Sequence, residues 1–115
     1  MESILTSIKK LLGITEEYTH FDADLIIHIN TVLAILTQMG VGPSEGFMIE
    51  DADAYWEDFL YDKTYLESVK TYVYLKVRLI FDPPTSSAVM ESMKQTISEL
   101  EWRLYAAAET KSLQG

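Results

Sequence analysis

Apolar positions recur at helical spacing in four stretches of the chain, and each stretch ends at a recognisable stop. In the first, Ile4, Leu5, Ile8, Leu11 and Leu12 share one face at the i, i+3/i+4, i+7 intervals of an α-helix. Lys9 and Lys10 fall in its last turn, where cations suit the helix dipole, and Gly13 follows as a cap. Ile14 to Tyr18 reads as a linker. The second stretch opens at Asp22, whose carboxylate is placed to accept from free backbone N–H groups. Leu25, Ile29, Val32, Leu36 and Met39 alternate steps of four and three, and Ile26 and Leu33 widen that stripe enough to pack on two sides. Gly40, Gly42 and Pro43 stop it.

The third stretch starts at Thr64-Tyr65-Leu66-Glu67, which has the Ser/Thr-x-x-Glu form of a capping box. Leu66, Val69, Val73, Val77 and Ile80 form its apolar line, with Tyr65, Tyr72, Leu75 and Leu79 alongside. Pro83 and Pro84 end it, because a residue before proline is pushed out of the α region. The fourth runs from about Ser87 to about Ala108. Its seam of Met90, Met93, Ile97, Leu100, Leu104 and Ala107 suits either a bundle interior or a neighbouring chain. Residues 109–115 carry no apolar pattern and are expected to fray. The pattern predicts an all-α fold: one domain over residues 1–115, a small bundle of about four helices with a long connection between the second and third.

That connection, residues 41–63, is the odd part of the chain. The net charge is −9, from 9 Lys and Arg against 18 Asp and Glu. By segment it is −3 over residues 1–40, −6 over 41–63, +1 over 64–84 and −1 over 85–115. The same acidic stretch holds Phe47, Met48, Ile49, Tyr55, Trp56, Phe59, Leu60 and Tyr61. Connections this long in so small a domain are uncommon unless they are functional or have structure of their own. Trp56 to Leu60 is able to form a helical turn or two. Keeping so many large side chains in water is unfavourable, since burying each is worth roughly 1.5–3 kcal/mol. They either fold back on the bundle or meet another protein, with the acids as a polar rim.

Composition narrows the class. At 115 residues with 48% hydrophobic and 23% charged, the chain has the apolar mass of an ordinary globular domain and not of a disordered one. Five Gly and three Pro favour long regular elements over a loop-rich β fold. No cysteine is present, which excludes disulfides, thiolate metal sites and cysteine nucleophiles. The acidic balance argues against an independent nucleic-acid binder and against docking to anionic lipid. No apolar run reaches membrane-span length, and the N-terminus lacks a signal-peptide pattern, so a compact intracellular domain is expected.

Candidate chemistry is sparse. His20, Asp22, Asp24 and His28 are the residues a zinc or iron site would use, but no metal signature accompanies them, and helix capping with a solvated polar face explains them better. Asp51 and Asp53 begin like a calcium loop, yet Trp56 stands where glycine must turn the chain and Asp62 replaces the bidentate Glu. Glu99 and Glu101 are two apart and point in different directions, while Glu91 and Glu99 are too far apart to share an ion unaided. Phosphate-binding and nucleophile-elbow motifs are lacking. Lys70, Lys76 and Arg78 interleave with Tyr72 and Tyr74 as in a nucleic-acid platform, but three cations are few in so acidic a chain. The chain is therefore expected to have no cofactor, no metal and no catalytic residues.

One resemblance spans Ile4 to about Leu104. A short helix ending IKKLLGI is followed by an acidic linker, a helix opening DADLIIHIN, and a variable loop after GVG. A helix ending LKVRLIFDPP comes next, then a last helix containing ISELEWRL. The run resembles the small head–tail connector proteins (adaptor or head-completion proteins) of tailed bacteriophages. The Phe81–Pro84 junction is similar to that of a Gram-positive phage and prophage branch. The resemblance implies a structural virion protein, not an enzyme. Such a protein assembles in the host cytoplasm into a homo-oligomeric ring of about twelve copies below the portal protein. The ring extends the DNA channel at the head–tail junction and supports the tail or a stopper protein. DNA passes without specific binding, and no membrane is involved. A ring of that size would carry on the order of −100 charges, a wall from which DNA phosphate is repelled. By the same resemblance, the loop 41–63 and the C-terminal end from about Trp102 are the expected contact surfaces, with Phe47, Trp56, Phe59 and Trp102 as the interface candidates. Two other readings stand beside it: a small helical metal-dependent nucleotide hydrolase using Asp24, His28 or the last helix's glutamates, and an acidic regulatory or DNA-mimic module.

Overall fold

A computed structural model describes residues 2–114, with side chains through Lys111. It is all-helical, with α1 Ile4–Leu11, α2 Asp22–Gln38, α3 Trp56–Phe59, α4 Leu66–Phe81 and α5 Ser87–Gln114. Helix α4 is the hub and packs against α1, α2 and α5. The core between them is built from the stripes of the sequence pattern. Ile4 and Ile8 of α1, Leu25, Ile29 and Leu36 of α2, and Val69, Val73 and Val77 of α4 are all buried.

Helices α1 and α2 end in the same way. Beyond α1, Gly13 takes φ +81° while its N–H donates to Lys10 O and that of Ile14 donates to Lys9 O at 2.8 Å. Beyond α2, Gly40 takes φ +91°, its N–H donates to Thr37 O, and that of Val41 donates to Leu36 O at 2.9 Å. Each is a Schellman cap, with glycine supplying the left-handed residue.

The helix starts differ from the sequence pattern. Asp22 does not cap α2, which has no side-chain cap. Its carboxylate instead contacts the ammonium of Lys9 at 2.9 Å, and Lys9 also donates to Glu16 O at 2.9 Å. Lys9, in the last turn of α1, is accordingly buried, with 2% of its surface exposed. The Thr64–Glu67 box does not form either: α4 begins one residue beyond Tyr65 without a side-chain cap, and the Thr64 N–H donates to Asp62 Oδ1 at 2.9 Å. The asparagine-like turn at Asp62 takes the donor that a capping box would have used.

Helix α5 continues past Ala108 to Gln114. Residues 109–114 contain neither Gly nor Pro, so nothing in the backbone stops propagation once Leu104 and Ala108 are packed. Gly115 lies outside the described residues. Of the seam, Met93, Ile97 and Leu104 are buried and Leu100 is half-buried, so this face is turned inward to the bundle.

Candidate functional site

The acidic connection is folded onto the bundle and carries its own short helix, α3. Four sets of contacts fix it. The side chain of Asn30, on α2, grips the backbone of Ile49: its Nδ2 donates to Ile49 O at 2.9 Å and its Oδ1 accepts from Ile49 N–H at 2.8 Å. Ser3 and Tyr55 form an isolated antiparallel bridge, flanked by Ile4 N–H to Ala54 O and Trp56 N–H to Glu2 O. Within α3's first turn, Tyr55 N–H donates to Asp58 Oδ2 at 2.9 Å. Finally, the indole of Trp56 enters the core between the helices, and its Nε1–H donates to Ser7 Oγ at 2.8 Å. The chain thus spends most of the loop's large side chains on its own core: Val41, Ile49, Trp56 and Phe59 are buried.

The four interface candidates are therefore placed very differently. Trp56 and Phe59 lie inside, at 0% and 2% exposed. Phe47 is half-buried, with its ring edge against Phe59 at 5.6 Å between centroids. Trp102 stands out from α5 with 72% of its surface exposed, and Tyr105 beside it is also exposed. Tyr61, at 91%, is the most exposed large apolar residue among those described. Its exposure was not legible from the sequence, where it is one aromatic among several.

Between the start of the connection, α3 and the C-terminal half of α5 runs an open groove of about 420 Å³. Its floor is apolar, from Val41, Phe59, Leu104 and Ala108, and its walls carry Glu57, Asp58 and Asp62 against the single cation Lys111. Gly42 sits at φ +85° so close to the Phe59 ring that an added Cβ would stand 2.5 Å from it. Glycine is thus what lets the backbone lie over that ring. Hydrogen bonds from Thr64 hold the Asp62 carboxyl below the usual carboxylate range, with Lys111 adding to the effect. One oxygen of Glu57, Oε1, is out of water and has no hydrogen-bond donor.

Several of the residues considered for metal or acid–base chemistry have structural partners. Asp22 faces Lys9, and the His20 ring stands edge-on to Phe21 at 4.8 Å. Asp51 Oδ1 accepts from Asp53 N–H in a local turn. On α5, Glu99 pairs with Arg103 at 2.6 Å, and Glu101 accepts from the phenol of Tyr72 at 2.7 Å. Burial, joined by that carboxylate, raises the Tyr72 pKa well above the ordinary phenol value. Arg78 donates to Tyr74 rather than presenting itself freely. Among the described residues no three His, Cys, Asp or Glu converge as metal ligands, and no helix is long and apolar enough to cross a membrane.

Comparison with known proteins places the whole bundle in one group. A family profile described as "phage connector protein" matches residues 4–111, from the first residue of α1 to the last side chain described on α5. No curated protein and no solved structure matches the chain.

Proposed function

The chain belongs to the phage connector protein family, and we propose that it is a structural head–tail connector that closes into a ring of about twelve copies under the portal protein. The ring continues the DNA channel and offers its far side to the tail or a stopper protein. It catalyses nothing. The observation that carries this reading is the extent of the family match, which takes in every helix and the acidic connection as one unit.

Three physical features support it. The net charge of −9 gives a channel wall that DNA phosphate does not adhere to. The exposed Trp102 and Tyr105 on α5 and Tyr61 near the groove are the kind of aromatic anchors that protein contacts use. These patches belong to different elements, as head-to-tail contacts between copies require, since such contacts join unlike surfaces and close when the rotation permits. The Phe81–Pro84 junction supports the Gram-positive branch.

The test is to mix the purified chain with the portal protein of the same particle and image the product by negative stain. An annulus seated coaxially on the portal, with native mass spectrometry giving about a dozen copies, is the expected result. A tight dimer or tetramer that ignores the portal would overturn the proposal, because closed symmetry would have used the surfaces a ring needs.

A further inference from the structure

Resting on the connector reading, we infer that the groove between α3 and α5 is a receptor for a basic segment of another protein of the particle, one that presents an apolar side chain beside an arginine or lysine.

The chemistry of the groove selects that occupant. Phe59, Leu104 and Ala108 give it an apolar floor, which takes an aliphatic or aromatic side chain. Its walls hold three carboxylates, Glu57, Asp58 and Asp62, against Lys111. An occupant with a cation matches those walls, and an acidic or neutral one leaves them uncompensated.

Glu57 sharpens the choice. Its Oε1 is buried without a donor, a costly condition for a carboxylate oxygen. Glu57 lines the groove, so a guanidinium or ammonium seated there is placed to give its carboxylate a strong, charge-assisted hydrogen bond. The site is also presented for docking. Tyr61 stands beside it almost wholly in solvent, while the groove's backbone is held by Gly42 over Phe59 and by the cap at Gly40, whose added Cβ would meet Ala108 at 3.3 Å.

The experiment uses the full chain and overlapping synthetic peptides tiled across the portal and tail-side proteins of the same particle, read by fluorescence anisotropy. Peptides that bind are expected to carry Arg or Lys next to an apolar residue and to weaken with added salt. The double variant Glu57→Gln with Asp62→Asn is expected to weaken them by roughly tenfold or more, and Tyr61→Ala also to weaken them, while Ile27→Ala, at an exposed position of α2, leaves them unchanged. All these positions except Glu57 and Asp62 are exposed, and a thermal melt of each variant checks that the fold is kept. Binding indifferent to Glu57 and Asp62, or no binding by any peptide, overturns the inference. The connector reading fails separately, if the intact portal and tail-side proteins ignore the unmodified chain.

Discussion

The indole N–H of Trp56 donates to Ser7 Oγ at 2.8 Å, and the same hydroxyl donates onward to Ile4 O at 3.0 Å, across a span of 49 residues and entirely inside the protein. A serine in the middle of an apolar helix face and a tryptophan in an acidic loop are each poorly placed alone. Together they satisfy one another's polar atoms. Ser7→Ala strands the indole N–H out of water, and such an unpaired donor costs about 1–3 kcal/mol. Urea unfolding of the variant is expected to show a lower midpoint with an unchanged slope. An unchanged midpoint would mean that the hydrogen bond contributes nothing.

Gly42 and Gly46 separate two effects of glycine. Both have positive φ, +85° and +94°, but an added Cβ at Gly42 strikes Phe59 and at Gly46 meets nothing within 4 Å. Gly46→Ala bears only the backbone penalty, about 1–2 kcal/mol. Gly42→Ala adds an overpacking term of about 1–3 kcal/mol, so it is expected to be the more damaging in a thermal melt. Equal losses would show that the Phe59 ring gives way freely.

The Lys9–Asp22 pair ties α1 to the start of α2. Breaking a fully buried pair costs about 3–5 kcal/mol, and the loss here is smaller because the Asp22 side chain is 26% exposed. Asp22→Ala is expected to destabilise by about 1–3 kcal/mol, since Lys9 remains buried with the Glu16 carbonyl as its remaining partner. Lys9→Met, which removes the buried charge itself, is expected to cost less. Chemical denaturation of the two variants gives the order, and the reverse order would contradict this account.

Tyr72 makes stability fall in alkali. Its folded pKa is raised, first by burial and then by Glu101, so the neutral phenol is the form the fold favours. That contribution is whole below the unfolded value of 10.0 and is lost as pH climbs above it, because the unfolded chain ionises first. Wild type is expected to lose stability more steeply than Tyr72→Phe between about pH 10 and 11. Parallel curves for the two proteins would remove Tyr72 from the explanation.

The helices were legible because their signal is periodic and local. The stripes through Leu25 and Leu36 and through Val69 and Val77 are buried as the spacing predicts, and the glycine stops at Gly13 and Gly40 are true caps. What escaped was non-local. Lys9 is buried because Asp22, thirteen residues away, comes back to meet it. The aromatics of residues 41–63 left two destinations open, and only their packing partners decide: Trp56 finds Ser7 and Phe59 finds Gly42, whereas Tyr61 finds nothing and remains in water. The groove joins α3 to a part of α5 near residues that the pattern left as tail, so no single segment could announce it. Its one local sign was the concentration of acid in residues 41–63.

The most direct measurement is to silence the gene for this chain in a phage that encodes it and to image the particles released from the host. A head–tail connector predicts DNA-filled heads and free tails that fail to join, with joining restored when the chain is supplied in trans. Tailed, infectious particles at the normal yield would contradict the account.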